Sequence, residues 1–597
     1  MNKIMNLFFS LAKYLLPIIL TAWCVVLLAQ KIDLPVADLG RHIKNGEILI
    51  HPHLASPLKG EEGEEGIWQI RWQLLNTNFY SYTEPEHNFV NHHWLSGVVF
   101  YLVHQAWGFE GLSVFYILLV SLAFFVCLKT AKNVSNWTVA LGVGVLVLPI
   151  ITQRVEIRPE GFTYLFLAVF YWVLQNYAQS SNQDSTSPAL RPLLKLRGTG
   201  QAPSPRLGRG IWFLPLVMLL WVNLHIGFIF GFLILGAFML IRAIEDLRYK
   251  IKDKNHQVSL QLKYLIGVFM GCLVAGLINP FGIHALLYPL NIFREYGYRI
   301  VENQSVRFLE NLGITHNLNF GLFKFLVVLT ALSFIGLAIK QKLHKSFQTG
   351  TVVKFCLFLT ISILAFLAVR NFPIFGLVIL PILAQNIYLL LPKSEHLAYK
   401  IFPAVVVVSL IFFSSLLFWQ NFQNKKSSFG IGLMPQVEVS AEFFKVNKLQ
   451  GPIFNNYDIG GYLIYELGQT NKHGLKQTDG SGLGEQINTD YRRVFTDNRP
   501  EAYSLAHFQK EYIPAQEDSE KWAELMQKYQ FNAIFFSRRD LTPWGQNFLM
   551  ARVKDPLWAP VFVDGYNIIF LKRDNPQNAE VIKKYALPKE MFGVSTK

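Results

Sequence analysis

Charge is scarce in this sequence. Asp, Glu, Lys and Arg make up 16% of its 597 residues, against roughly 25% in an ordinary soluble domain. A soluble protein of this length would need far more charge to cover its surface. Cysteine is scarce too. Cys24, Cys127, Cys272 and Cys356 each fall inside an apolar run, so they read as small buried hydrophobes and indicate neither a disulfide framework nor a thiolate metal site. The signatures of soluble enzymes are missing: there is no G-x-x-x-x-G-K-[ST], no H-E-x-x-H and no G-x-S-x-G. The Gly-rich turns YDIGGYLI (457–464) and TDGSGLGE (478–485) do not form G-x-G-x-x-G after a strand, and no nucleotide cofactor is expected.

What is abundant is apolar sequence, 52% of the chain, and it is segregated into runs such as LFLAVFYWVL (165–174) and VVVVSLIFFSSLLF (405–418). A helix crossing the hydrocarbon core needs about 20 such residues. About eleven spans are expected, near 11–29, 110–128, 134–151, 160–177, 211–223, 226–243, 264–280, 319–337, 351–368, 371–390 and 401–419. The N-terminal run is too long for a cleaved signal peptide and is expected to be retained as the first span. Residues 94–107 are too short to span and suit a juxtamembrane helix on the outer surface, within an outer loop 30–109.

The net charge of +15 could point to nucleic acid, but its placement points to a membrane. Basic clusters such as DLRYKIKDK (246–254) and KQKLHK (340–345) alternate along the chain with acid-bearing loops containing Asp33, Asp38, Glu156, Glu160 and Glu302. The positive-inside rule then puts the N-terminus in the cytoplasm and those acids outside. The Ser/Pro/Gly/Arg-rich stretch 180–210 reads as an inner linker. After a linker at 421–439, residues 440–597 alternate charged helical stretches with short β-prone runs, AIFF (533–536), PVFV (560–563) and NIIFLKR (567–573). These predict a small soluble α/β domain on the outer side.

Chemistry is expected where ionisable residues crowd the outer span ends. The first group is Asp38-Leu-Gly-Arg41-His42, where a carboxylate could take the proton of an attacking acceptor; Asp33 is a competing acid. The second is Asn91-His92-His93-Trp94, whose imidazoles could contact a phosphate, bind a metal or hold the loop. The third is Gln153-Arg154-Val-Glu156-Ile-Arg158-Pro159-Glu160. Charges beside the membrane are costly and usually functional, although ion pairs tying a bundle together also use them. Pro159 suits the first turn of the following helix and Glu160 its N-terminus. Further candidates are Asn223 and His225 at a hairpin, and Arg294, Arg299 and Arg307 on an outer loop. Arg370 between two spans is either a phosphate contact or a hairpin cap. Arginines there could steady a leaving phosphate, and the acids with His92 and His93 permit a divalent ion without requiring one.

Several segments carry a resemblance: Asp38-Leu-Gly-Arg41-His42-x-x-x-Gly46, Asn78-Phe-Tyr-Ser-Tyr-Thr83, Asn91-His92-His93-Trp94-Leu95, Arg158-Pro159-Glu160, Leu220-Trp221-Val-Asn223-Leu-His225 and Ile278-Asn279-Pro280-Phe281-Gly282. Together they resemble bacterial membrane proteins of the GT-C glycosyltransferase superfamily, in the aminoarabinose-lipid A and protein mannosyltransferase branch. The resemblance runs over about 30–420 and into 440–575, where Asn456-Tyr-Asp-Ile-Gly460-Gly461 and Phe495-Thr-Asp497-Asn-Arg499-Pro-Glu501 look like the extracytoplasmic tail of uncharacterised relatives. It implies a polytopic α-helical membrane protein with a GT-C-like bundle and a C-terminal extracytoplasmic α/β domain. It also implies transfer of a sugar from a polyprenyl-phosphate donor to a lipid, glycan or protein acceptor at the bacterial inner membrane. Asp38 maps onto the acid that serves the acceptor, and Glu156 or Glu160 onto the second acid. Many relatives place an aromatic pair between that first Asp and the His. This chain has Gly40-Arg41 instead, so part of the pocket is expected to differ, and KGEEGEEG (59–66) is expected to be a solvated insertion. A transporter and a non-catalytic assembly protein are the rival readings. The charges gather at span ends rather than mid-span, and no inverted repeat is evident.

Overall fold

A computed structural model of the protein describes residues 17–52, 64–185, 210–253, 257–292, 297–298, 300–313, 318–343, 349–391, 419, 422–423, 426–468 and 493–593. The expected span 401–419 up to residue 418, most of the 180–210 linker, most of KGEEGEEG, the turn 478–485, and both Arg294 and Arg299 lie outside the described residues.

Among the described residues, six helices are long and apolar enough to cross a membrane: Trp94–Val134, Ile226–Lys252, Leu260–Leu277, Leu318–Leu343, Thr349–Leu367 and Val369–Leu390. Shorter apolar helices occupy Pro17–Leu28, Trp137–Ile151 and Ile211–Leu224, and another helix runs Glu160–Ser185. The molecule is a multi-pass membrane protein. Burial orders the bundle. In Val369–Leu390, 72% of the apolar window is inside the protein, so this helix is central; in Leu260–Leu277 only 28% is, so that helix is peripheral. Leu118, Leu122, Val274, Leu332 and Ile363 are exposed, as suits flanks that face hydrocarbon rather than water.

Residues 94–107 and 110–128 form one helical run, Trp94–Val134, broken at Gly108 (φ 65°, ψ −160°). Only glycine adopts that backbone geometry without strain, and it lets the chain turn between the two segments. Helix Leu39–Ile50 crosses this run through a pair of glycines. A Cβ on Gly46 would lie 2.1 Å from the Gly97 carbonyl oxygen, so the two backbones touch. Residues Leu39 to Ile48 are all buried, polar ones included.

The C-terminal domain carries a four-stranded sheet: β1 (Ile453–Asn455), β2 (Ala533–Ser537), β3 (Trp558–Val563) and β4 (Asn567–Lys572), in the order β1-β2-β4-β3. β1 runs parallel to β2, and the other pairs are antiparallel. β2 is buried along its whole length, which explains why its sequence is a continuous apolar run rather than an alternation. Helices Ser519–Tyr529 and Pro543–Lys554 supply Trp522 and Phe548, which pack with Phe454 and Phe531 in an aromatic core.

The C-terminal domain docks on loops of the helical part by direct bonds. Arg539 holds Asp33 with two hydrogen bonds of 2.7 and 2.8 Å. The Tyr82 hydroxyl donates to the Ile453 carbonyl at 2.8 Å, and Glu84 accepts from the Ser504 amide and hydroxyl. Within 421–439, Phe429 and Leu433 bridge to Gln30 and Ile32, so that stretch is bound to the bundle at these points.

Candidate active site

The site is built where helix Leu39–Ile50 meets the loop 152–159 and the turn Val369–Asn371. Asp38 is the N-cap residue of its helix, but its carboxylate makes no capping hydrogen bond and lines a cavity instead. Arg158 stands opposite. Its Nη1 lies 3.4 Å from Asp38 Oδ2 and 2.8 Å from Glu302 Oε1, and its Nε lies 2.7 Å from Glu156 Oε2. Arg154 joins Glu160 at 3.1 Å and Glu302 at 3.0 Å. Arg370 grips the other oxygen of Glu160 and donates to Asn303 Oδ1 at 2.8 Å. Three guanidinium groups thus tie together four carboxylates, and Asp38 has the longest ion contact of the set.

The environments of the acids diverge. Burial raises Asp38 above the ordinary carboxylate range, and Arg158 and Arg41 only partly counter it. Burial also pushes Glu302 up, but Arg154, Arg158 and Arg370 outweigh it and hold that carboxyl below its usual value. Two acids in one network with opposite tendencies divide the labour: the more basic can accept a proton while the other stays ionised.

The cavity has a volume of about 720 Å³. Asp38, Arg41, His92, His93, Arg158, Glu160, His225, Glu302 and Arg370 line its polar side; Ile229, Phe230, Phe232, Leu233 and Phe269 line an apolar side. The C-terminal domain contributes Tyr457, Asp458, Asn498, Pro500 and Glu501. Burial, reinforced by Asp540, pushes Asp458 up to about 7, and burial pushes Glu501 up to about 6.

The histidines cluster. His92 and His93 have ring centroids 3.8 Å apart, and His93 stacks on His225 at 5.1 Å. Burial keeps them below the usual imidazole range, His92 at about 4 and His225 at about 3, so they are neutral at neutral pH. The Gly227 amide donates to His225 Nδ1 at 3.0 Å, which assigns the ring proton to Nε2. That Nε2, His93 Nδ1, Arg41 Nε and both amide atoms of Asn498 are buried without a hydrogen-bond partner among the described residues. All belong to residues lining the cavity, and they are groups available to a polar ligand. No three His, Cys, Asp or Glu side chains among the described residues come together to hold a metal ion.

The remaining expected residues take supporting or outlying places. Trp94 and Asn223 do not line the cavity: Trp94 Nε1 donates to Asn223 Oδ1 at 3.1 Å, and Asn223 donates to the Ile278 carbonyl at 2.9 Å. His42 sits behind Arg41, 3.4 Å from Nη2. Arg154 acts through Glu160 and Glu302, and Glu156, its side chain 48% exposed, pairs with Arg158 off the lining. Arg307 is exposed and away from the cavity. Asp33 is taken by Arg539, which separates it from Asp38. Sequence reasoning missed Glu302, Asp458, Asn498 and Glu501 as site residues. A lone acid among outer-loop arginines was the signal for Glu302, and an acid before paired glycines was the signal for Asp458.

Gly40 is required by its neighbours. A Cβ there would lie 2.8 Å from Tyr465 Cβ and 2.9 Å from the Gly461 oxygen, so the C-terminal domain occupies the space of a larger side chain.

No protein-family profile matches this chain, and no curated protein matches it in sequence. It is similar to solved structures. The oligosaccharyltransferase AglB from Archaeoglobus fulgidus, solved in complex with an inhibitory peptide and a dolichol-phosphate, aligns with a TM-score of 0.52 at 11% identity, over 94% of this chain and 74% of that one. ArnT from Cupriavidus metallidurans, solved bound to undecaprenyl phosphate, aligns over 96% of this chain and 98% of that one at 11% identity, with a TM-score of 0.41, a likeness too loose to say more. The alignment with AglB spans both the helical bundle and the C-terminal domain, and the chain has a GT-C-like fold.

Proposed function

We propose that this protein is a glycosyltransferase that moves a sugar from a polyprenyl-phosphate donor to a lipid, glycan or protein acceptor on the outer face of a bacterial cytoplasmic membrane. The observation that carries this reading is a loosely held carboxylate, Asp38, in a cavity with arginines on one side and a phenylalanine-rich wall on the other. A phosphate on a long apolar chain, the chemistry of the dolichol-phosphate held by AglB, needs both surfaces.

In this mechanism Asp38 orients the acceptor hydroxyl or amine and takes its proton. The acceptor attacks the anomeric carbon while the bond from that carbon to the phosphate oxygen breaks. The electron pair leaves with the phosphate, whose charge Arg158, Arg370 and Arg41 offset. A single displacement inverts the anomeric centre. Asp458, Asn498 and Glu501 on the C-terminal domain face the acceptor. The orientation, with the N-terminus cytoplasmic and the C-terminal domain outside, is supported by lysines at the helix ends far from the cavity, Lys250 and Lys252 on one helix and Lys340 and Lys342 on another.

The test is Asp38→Asn in purified protein with a labelled polyprenyl-phosphate sugar. Turnover should fall about 10²- to 10⁴-fold, the range for a lost general base. Unchanged turnover removes Asp38 from the mechanism. Binding of the lipid-linked sugar by wild-type protein without any transfer favours a transporter or assembly role instead.

A further inference from the structure

A second cavity, of about 520 Å³, opens among the membrane helices far from Asp38. Helix Glu160–Ser185 links the two, with Glu160 in the first and Gln179 in the second, about 28 Å apart at the helical rise. The second cavity lies at the end of the bundle that carries Lys250 and Lys252.

Its lining is strongly cationic. Among the described residues that line it, Arg242, Arg248, Lys252 and Lys354 are cationic and Glu245, engaged by Arg242 at 2.8 Å, is the one carboxylate. Lys354 is the telling residue. It sits in the first third of membrane helix Thr349–Leu367, and the partner of its ammonium is a neutral amide oxygen, Gln385 Oε1, at 2.6 Å. Arg248 reaches across to the Thr349 hydroxyl at 2.9 Å, so the cations of two helices converge. Phe238, Leu265 and Leu337 supply an apolar wall beside them. Charge at membrane depth is expensive and marks a ligand or a pathway, and basic pockets between membrane helices on the cytoplasmic side suit anionic headgroups.

We propose that this inner cavity binds a phosphate group, supplied by the headgroup of an anionic lipid in the leaflet facing the basic loops. Arginine and lysine complement phosphate oxygens by charge-assisted hydrogen bonds, and the adjoining apolar wall fits the start of an acyl chain. The site is separate from the outer cavity and does not depend on the reaction assigned there.

The test uses the full-length protein in an uncharged detergent, titrated by native mass spectrometry with dioctanoyl phosphatidylglycerol, dioctanoylglycerol and inorganic phosphate. Phosphatidylglycerol should bind and dioctanoylglycerol, with the same chains and no phosphate, should not. Lys354→Gln should weaken phosphatidylglycerol binding about tenfold, as expected for one lost hydrogen bond to a charged group, and Lys354→Arg should retain it. Displacement by inorganic phosphate at matching concentration supports the site with the free anion as its source; resistance to displacement supports the lipid. Equal binding of the two lipids, or undiminished binding to Lys354→Gln, overturns the proposal. If Lys354→Gln does not fold, a photoreactive phosphatidylglycerol on wild-type protein decides: crosslinks on Ile229–Lys252 and Thr349–Leu367 support the site, and crosslinks confined to the outer loops overturn it.

Discussion

Arg499, which is buried, and Arg158, which is half-buried, are both paired with acids, yet they are held in different ways. Arg499 is closed on every side. It donates to both oxygens of Asp497, which is fully buried, and to Asn78 Oδ1 at 2.8 Å, and the rings of Tyr80 and Phe89 flank its guanidinium. Arg158 is shared among Asp38, Glu156 and Glu302, with one contact stretched to 3.4 Å and a cavity beside it. A charge pair closed in by several hydrogen bonds and two rings acts as a joint, here between the 78–89 loop and the C-terminal domain. A network with slack beside a cavity can change partners.

The largest expected effect separates the two clusters by activity. Asp38→Asn should abolish most turnover yet leave the thermal midpoint within a few degrees of wild type; a large loss of stability would make Asp38 another joint. Arg499→Met should do the reverse, leaving Asp497 buried without its partner at a cost of about 3–5 kcal/mol, read as a lowered unfolding midpoint. If Arg499→Met unfolds like wild type but loses turnover, the contrast between joint and site fails.

Smaller effects sharpen the same contrast. Gly46→Ala forces a methyl group against the Gly97 carbonyl and should cost about 1–3 kcal/mol, as overpacking does, measured by thermal unfolding. Arg370→Lys replaces a two-pronged guanidinium with a single ammonium. It should lower kcat about tenfold, less than the roughly 10²- to 10³-fold lost when such an electrostatic group is removed outright, with stability little changed.

The last and smallest effect is on pH dependence. Because burial lifts Asp458 to about 7 from 3.8, the folded state holds that proton more tightly than the unfolded chain does. Its contribution to stability is complete below the unfolded value and is lost as pH rises through about 7. Asp458→Asn is neutral throughout, so its unfolding midpoint should gain on wild type as the pH rises from about 5 to about 8. A gap that does not change with pH would place Asp458 in a solvated rim instead.

Much of the bundle was legible in the sequence because each span is a local property: apolar length and charged ends mark helices such as Leu260–Leu277 and Leu318–Leu343 without reference to neighbours. Gly108 and the Gly46–Gly97 crossing were not legible, since a glycine reveals its purpose only when another backbone or a required turn is beside it. The site divided along the same line. Asp38, Arg158 and Glu160 stood out as charges flanking apolar runs. Glu302 and Glu501 did not, because their significance comes from arginines and a cavity built by distant segments. Arg154 and Trp94 looked like ligand contacts; the structure places them off the cavity lining, bonded to Glu160 and Glu302 and to Asn223.

Sequence alone determined that this chain spans a membrane, which ends of its helices carry acids or lysines, and that an α/β domain follows the last span. These follow from hydropathy and local propensity, which act within a few turns of chain. Only the tertiary structure decided that Asp33 serves the domain interface while Asp38 faces a cavity, and that the C-terminal domain closes one side of it. Which carboxylate an arginine neutralises, and which stays exposed to a ligand, depends on distances of a few ångströms between residues hundreds of positions apart.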